Sequence, residues 1–241
     1  MPDKQTPRPK FTATVVPALP SAFTLYRSSI ETLLRNVWTF VLLLVVPAIV
    51  TMSGSTLNYI NDNRHGNTPI MAHIGIGLII LGIVLGIVAL PALLITQVKS
   101  AKQEIIEVDE ALRKGFGIFW RYFGLIICLG FIYVFSFIAL IVPFFFAVRR
   151  YLLAPYYLAD QNVGIREALR RSAADSQNFA RPIWGLVGVQ VLNGLLASAP
   201  VIGWAIDAAY YCAPAVRYQQ IQEAAHQLAE INKKFTEQPK K

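Results

Sequence analysis

Charge is scarce in this chain: charged residues make up 15% of its 241 positions, and only 14 are acidic. Soluble domains carry about 25% charged residues, so an ordinary water-facing surface is not encoded. Cysteine and histidine are rarer still, at two and three. Cys128 and Cys212 both fall inside apolar stretches, where burial is expected rather than a disulfide or a metal site. His65, His73 and His226 lie far apart with no ligand partner at helical spacing, so no metal and no cofactor is expected. His-Glu-x-x-His, Gly-x-Ser-x-Gly and phosphate-loop patterns are missing. Gly75, Gly77 and Gly82 lie within an apolar run, not between a strand and a helix. With no nucleophile beside a base, the chain is read as not an enzyme.

What is abundant is apolar surface, with 55% hydrophobic residues and a mean hydropathy of +0.48. The expected class is all-α, a polytopic helical membrane bundle. The clearest spans cover 37–53, 73–98 and 122–142, each near the roughly 20 residues that cross about 30 Å of hydrocarbon. Two weaker stretches follow at 143–159 and 183–217. The second is long enough for two crossings if it turns near Ser198-Ala199-Pro200.

Basic residues decide the topology, because Lys and Arg gather on the cytoplasmic side. Lys4, Arg8, Lys10, Arg27 and Arg35 precede the first span, and Arg64 follows it. Lys99, Lys102, Arg113, Lys114 and Arg121 share the next loop. Arg166, Arg170, Arg171 and Arg181 share a later one, and the C-terminal region carries another cluster. Placing all of these inside requires 143–159 to return across the bilayer, or part way into it, and 183–217 to form a hairpin. Both termini are then cytoplasmic.

A repeat organises these segments. A Glu-small-Leu-x-basic run occurs at Glu31-Thr32-Leu33-Leu34-Arg35, Glu110-Ala111-Leu112-Arg113-Lys114 and Glu167-Ala168-Leu169-Arg170-Arg171, each followed by a tryptophan, Trp38, Trp120 and Trp184. An apolar-Pro step then recurs at Leu90-Pro91, Ala154-Pro155 and Ala213-Pro214. The unit read from this order is one surface helix plus a hairpin of two spans. Used three times, it predicts about six transmembrane helices. Residues 1–21 read as a flexible cytoplasmic tail, 22–217 as the integral membrane domain and 218–241 as a cytoplasmic helix with a basic tail. More than thirty residues precede the first span, so a cleavable signal peptide is not expected.

Candidate sites are few. Asp207 is the one acidic residue within an apolar span, where a charge costs at least about 2.5 kcal/mol unless paired, protonated or hydrated. Arg149 or Arg150 reaches a similar depth, so an intramembrane charge pair is one expectation. A hydrated pathway lined by Asp207, Arg149, Asn193 and Gln190 is the other. Arg166, Arg170 and Arg171 are expected to contact anionic lipid at the inner leaflet. Gly75, Gly82, Gly86 and Ala89 share a helix face suited to close packing, either within the bundle or in a homodimer. Ile221, Ala224, Leu228, Ile231 and Phe235 make an apolar stripe at heptad spacing, a seam for a partner or a helix resting on headgroups.

From Pro143-Phe144-Phe145-Phe146 through Arg150-Tyr151-Leu152-Leu153-Ala154-Pro155 and Gly164-x-x-Glu167-Ala168-Leu169-Arg170-Arg171-Ser172 to Trp184, the chain resembles a bacterial family of polytopic inner-membrane proteins. This is the group related to YciC and to the membrane domain of glycerophosphodiester phosphodiesterases. Ala173 stands where that family carries an aromatic residue. The resemblance implies six helices in a bacterial cytoplasmic membrane and no established activity for stand-alone members. The expected role is a non-enzymatic, lipid-embedded scaffold or partner subunit. The alternative is a small-molecule or lipid transporter with a mid-membrane polar site at Asp207. Expected partners are membrane lipids, anionic on the cytoplasmic face, and a protein partner or second copy, with no nucleic acid.

Overall fold

The computed structural model describes residues 19–63, 68–196 and 200–237. Among them lie ten α-helices and no strand: α1 (Leu25–Arg35), α2 (Val37–Asp62), α3 (Pro69–Ala101), α4 (Val108–Ala139), α5 (Ile141–Tyr151), α6 (Ala154–Gln161), α7 (Ile165–Asn178), α8 (Ala180–Leu196), α9 (Pro200–Tyr210) and α10 (Ala213–Glu237). Three of these, α2, α3 and α4, are long and apolar enough to cross a membrane. The count rises to four if α7 and α8, bent by 103° to each other, form one broken span. At 1.5 Å per residue α2 reaches about 39 Å and α3 about 50 Å, both beyond the hydrocarbon thickness. Their outward side chains are those of a lipid-facing surface: Leu42, Ile49 and Met52 of α2, Ile76 and Ile80 of α3, and Phe131, Phe135 and Ile138 of α4 are all exposed.

The expected return span at 143–159 is not one helix. It is divided between α5 and α6, neither of which is long enough to cross alone. The helix expected to start at 122 begins instead at Val108, so the Glu110 segment and the span are continuous. Elsewhere the surface segment and the following helix are separated by one non-helical residue. Asn36 (φ −121°, ψ 35°) and Phe179 (φ −116°, ψ 40°) break the chain in nearly the same conformation. The prolines behave in two ways. Pro47 and Pro91 lie inside unbroken helices, whereas Pro155 and Pro214 each occupy the second position of a new helix, where the missing N–H costs nothing.

Burial is concentrated at one end. The second half of α3 (Ala89, Ala92, Leu93, Ile95, Val98) is enclosed by α6 (Tyr157, Leu158), α7 (Ala168), α10 (Tyr218, Ile221, Ala224, Leu228) and the start of α2 (Phe40, Leu43). A smaller cluster joins Leu25 of α1 to Leu186 and Val189 of α8 and to Tyr210, Ala213 and Val216. α10 runs without a break through the expected boundary at 217/218. Its apolar stripe of Ile221, Ala224 and Leu228 is buried in the chain's own core, so that stripe is not left open to a partner. Ile231 is exposed, and the side chain of Phe235 lies outside the described residues. Most of the 1–21 tail also lies outside them. Its last residues are packed: Leu19 lies against the core, and the Pro20 carbonyl accepts a 2.9 Å hydrogen bond from Arg217.

Candidate functional site

Close helix packing is the first of the expected features to be realised. α2 and α3 form the most extensive helix pair, and Gly75 and Gly82 of α3 face α2. A Cβ on Gly82 would fall 2.7 Å from the Thr51 nitrogen and 3.0 Å from the Pro47 carbonyl oxygen. One on Gly54 of α2 would fall 2.6 Å from the Gly75 oxygen. Backbones approach this closely only where no side chain intervenes. Gly86 is looser, with Pro47 Cβ at 3.8 Å, while Ala89 is buried. The small-residue face is therefore consumed inside the chain.

The charge pair is not formed. Asp207 is exposed on α9, and among the described residues it makes no ion pair with Arg149 or Arg150. The two arginines take aromatic partners instead. The Arg149 guanidinium carbon sits 5.5 Å from the ring centroids of both Phe146 and Trp184, and Arg150 lies 5.7 Å from Tyr151. Cation-π stacking of this kind contributes about 0.5–2 kcal/mol. Trp184 is thereby drawn into packing against Phe146, whereas Trp38 and Trp120 are 77% and 79% exposed, as interfacial anchors are. Asn193 is also spoken for: it is buried and accepts a hydrogen bond from the Tyr26 hydroxyl.

Among the expected pathway residues, only Gln190 lines the central cavity. This space of about 340 Å³ lies where the three proline steps converge, bounded by Leu90, Pro155 and Pro214, with Tyr122, Tyr133, Tyr151, Tyr156 and Tyr211 around it. Gln97 and Gln190 supply its amides, and no charged side chain lines it. The Tyr156 hydroxyl donates to Gln97 Oε1 at 3.2 Å, so the polar atoms here are partly satisfied by one another. Such a site accepts an apolar body with one or two hydrogen-bonding groups. No cysteine, serine, histidine or carboxylate lines it.

Beyond the cavity, the buried end holds a polar network. Tyr157 donates to Asp175, and Gln222 bonds both. Tyr218 donates to Asp160 at 3.0 Å, and Lys102 pairs with the same carboxylate. Asp175 is buried, which is tolerable only because donors surround it. The three arginines expected at lipid divide here. Arg170 and Arg171 both bond Glu167, and Arg171 also reaches Gln161, while Arg166 is exposed. The Arg170 hydrogen bond, helped by Arg171 against partial burial, holds the Glu167 carboxyl below its ordinary pKa.

Asn36 carries a role that the sequence did not reveal. Its side chain donates to Ser100 and to the Glu104 carbonyl at 2.9 Å, and accepts from the Ile106 amide at 2.9 Å. Thr39 adds a 2.8 Å bond to the Ile106 carbonyl. The loop between α3 and α4 is thus fastened to the junction of α1 and α2. The nearest signal was a polar Asn at the end of a Glu-Leu-basic run, which marks a helix end but not its partner. Cys212 is buried, whereas Cys128 is only half-buried, and both are free thiols. No group of three metal-ligating side chains occurs among the described residues.

No protein-family model, curated protein or solved structure matches this chain.

Proposed function

We propose that this chain is a non-enzymatic, multi-pass protein of a bacterial cytoplasmic membrane, a lipid-embedded scaffold or partner subunit related to the YciC group. Six crossings would arise from three surface-helix-plus-hairpin units: α1 with α2 and α3, α4 with α5 and α6, and α7 with α8, α9 and α10. The matching positions of Pro155 and Pro214 at the start of α6 and α10 support the repeat, as does the conformation shared by Asn36 and Phe179. The observation that carries the scaffold reading is the uncharged lining of the central cavity, with Asp207 exposed elsewhere. A transport route for an ionic solute needs hydrated or compensating charge at mid-depth.

Accessibility tests the topology. In a background with Cys128 and Cys212 replaced by alanine, Cys at exposed Asn63 should react with an impermeant maleimide in intact cells. Cys at exposed Gln177 should react only after lysis. Equal reaction at both positions before lysis would reject six crossings with cytoplasmic termini.

The cavity volume favours a second reading, the binding of a small hydrophobic molecule or a lipid on the way across. Mass spectrometry of the extracted protein separates the two. A discrete non-phospholipid species retained in stoichiometric amount supports the second reading, and bulk phospholipid alone removes it.

A further inference from the structure

A second cavity, of about 420 Å³, lies between the end of α3, the first half of α4 and the end of α6. Lys99, Lys102 and Lys114 line it, and Asp160 is its one lining carboxylate. Glu104 and Glu110 pair with Lys99 and Lys114 but do not line the space. At Gly117 the wall is bare backbone, with no other atom within 4 Å of where a Cβ would stand. The same stretch of α4 presents Phe116 and Trp120 outward, 63% and 79% exposed. A charged recess therefore adjoins a surface suited to acyl chains.

The lysines act on a common point. The Glu104 carboxyl is held below its ordinary pKa first by its hydrogen bond from Lys99, then by the charges of Lys99, Lys102 and Lys114 together, against slight desolvation. Asp160 matches the charge of Lys102 and also accepts from the Tyr218 hydroxyl at 3.0 Å, which leaves Lys99 and Lys114 as the lysines free to change partner. The pairs of Lys99 with Glu104 and of Lys114 with Glu110 are partly exposed, and such pairs are weak enough to be exchanged for a phosphate.

We propose that this recess binds the phosphate of an anionic membrane phospholipid, with Lys99 and Lys114 as the principal contacts and Lys102 held in place by Asp160. Basic recesses between membrane helices recognise phosphate headgroups through charge and hydrogen bonds. The inference rests on the proposal that α3 and α4 cross the bilayer.

The test is native mass spectrometry of the full chain in maltoside micelles carrying phosphatidylglycerol or phosphatidylcholine. Inorganic phosphate is added in a third arm. Phosphatidylglycerol should be retained in preference to phosphatidylcholine, and phosphate should not displace it. Replacing Lys99 and Lys114 together by Gln should weaken retention about 30-fold, since each basic residue contributes on the order of 1 kcal/mol at the membrane surface. Arg27→Gln with Arg181→Gln, an equal loss of exposed charge outside the recess, should leave it nearly unchanged. Gly117→Leu should block binding by filling the space while circular dichroism stays the same, and it decides the matter if the lysine variant fails to fold. Equal weakening by the arginine pair, unaltered binding in Gly117→Leu, or full displacement by phosphate would overturn the site. Loss of lipid preference with the maleimide pattern intact rejects the recess but not the topology.

Discussion

Placing one methyl group between α2 and α3 tests the tightest contact in the fold. At Gly82 an alanine Cβ meets the Thr51 nitrogen at 2.7 Å and the Pro47 oxygen at 3.0 Å. Both are backbone atoms, so no rotamer change relieves the overlap and the two helices must separate. Overpacking of this kind costs about 1–3 kcal/mol. Alanine returns about 1 kcal/mol of helix propensity, leaving a net loss of about 0–2 kcal/mol and a gap of about 1–3 kcal/mol from an unhindered glycine-to-alanine change. Gly77→Ala is the internal control, because no atom lies within 4 Å of its Cβ, and it should be neutral or slightly stabilising. Gly54→Ala should resemble Gly82→Ala, since it meets the Gly75 oxygen at 2.6 Å and the Ile79 nitrogen at 2.8 Å. Thr51→Ala should fail to rescue Gly82→Ala fully, as the backbone contacts remain. Unfolding of the purified protein by titration from mild into denaturing detergent, followed by tryptophan fluorescence, ranks the variants. If Gly82→Ala matches Gly77→Ala, the register of α2 on α3 described here is wrong.

Two further outcomes follow from the charged groups. Asp207→Asn should leave stability unchanged within about 0.5 kcal/mol, as for surface positions without partners. Arg149→Gln should lose about 0.5–2 kcal/mol of stacking on Phe146 and Trp184, and the double variant should equal the sum; a coupling above about 1 kcal/mol would restore the ion pair. Glu167 has a folded pKa below its ordinary value near 4.5, so its contribution is fully present above that value and is lost as pH falls through the folded pKa. The melting temperature of Glu167→Gln should therefore drop less between pH 6 and pH 3 than that of the parent, and equal drops would show that the Arg170 contact adds nothing.

The sequence made the long helices legible and the short ones not. Runs such as 73–98 are apolar on every face and long, a pattern that local sequence shows whatever the helix packs against, and α3 includes the whole predicted stretch. The segment 143–159 reads as one amphipathic span because hydropathy is blind to where a helix yields. Its division at Leu152 and Leu153 brings Tyr156, Tyr157 and Leu158 into the core, a tertiary gain that no local pattern encodes. The pairing of Asp207 with Arg149 failed for a related reason. Equal depth along two helices says nothing of their rotation, and Arg149 stacks on two aromatic rings instead. The lysine recess was hidden for the opposite reason. Lys99, Lys102 and Lys114 were counted as topology signals, and only the fold shows that they surround one space.

The joining of the chain's first helix to its last has a consequence for biosynthesis. The Ser29 hydroxyl oxygen accepts from the Cys212 amide, a partner 183 residues downstream, and the Ala22 carbonyl accepts from Tyr210. At about 5–20 residues per second of translation, α1 waits roughly 10–40 s for those partners. Through that interval its buried face, with Leu25 and Ser29, has no native cover from α9 and α10. The headgroup layer is the surface at hand on which an amphipathic helix can rest. A chain stopped before α9 would therefore keep its long α2–α3 pair but leave this face of α1 bare, an early-synthesised piece of the protein that waits on late-synthesised residues for its packing.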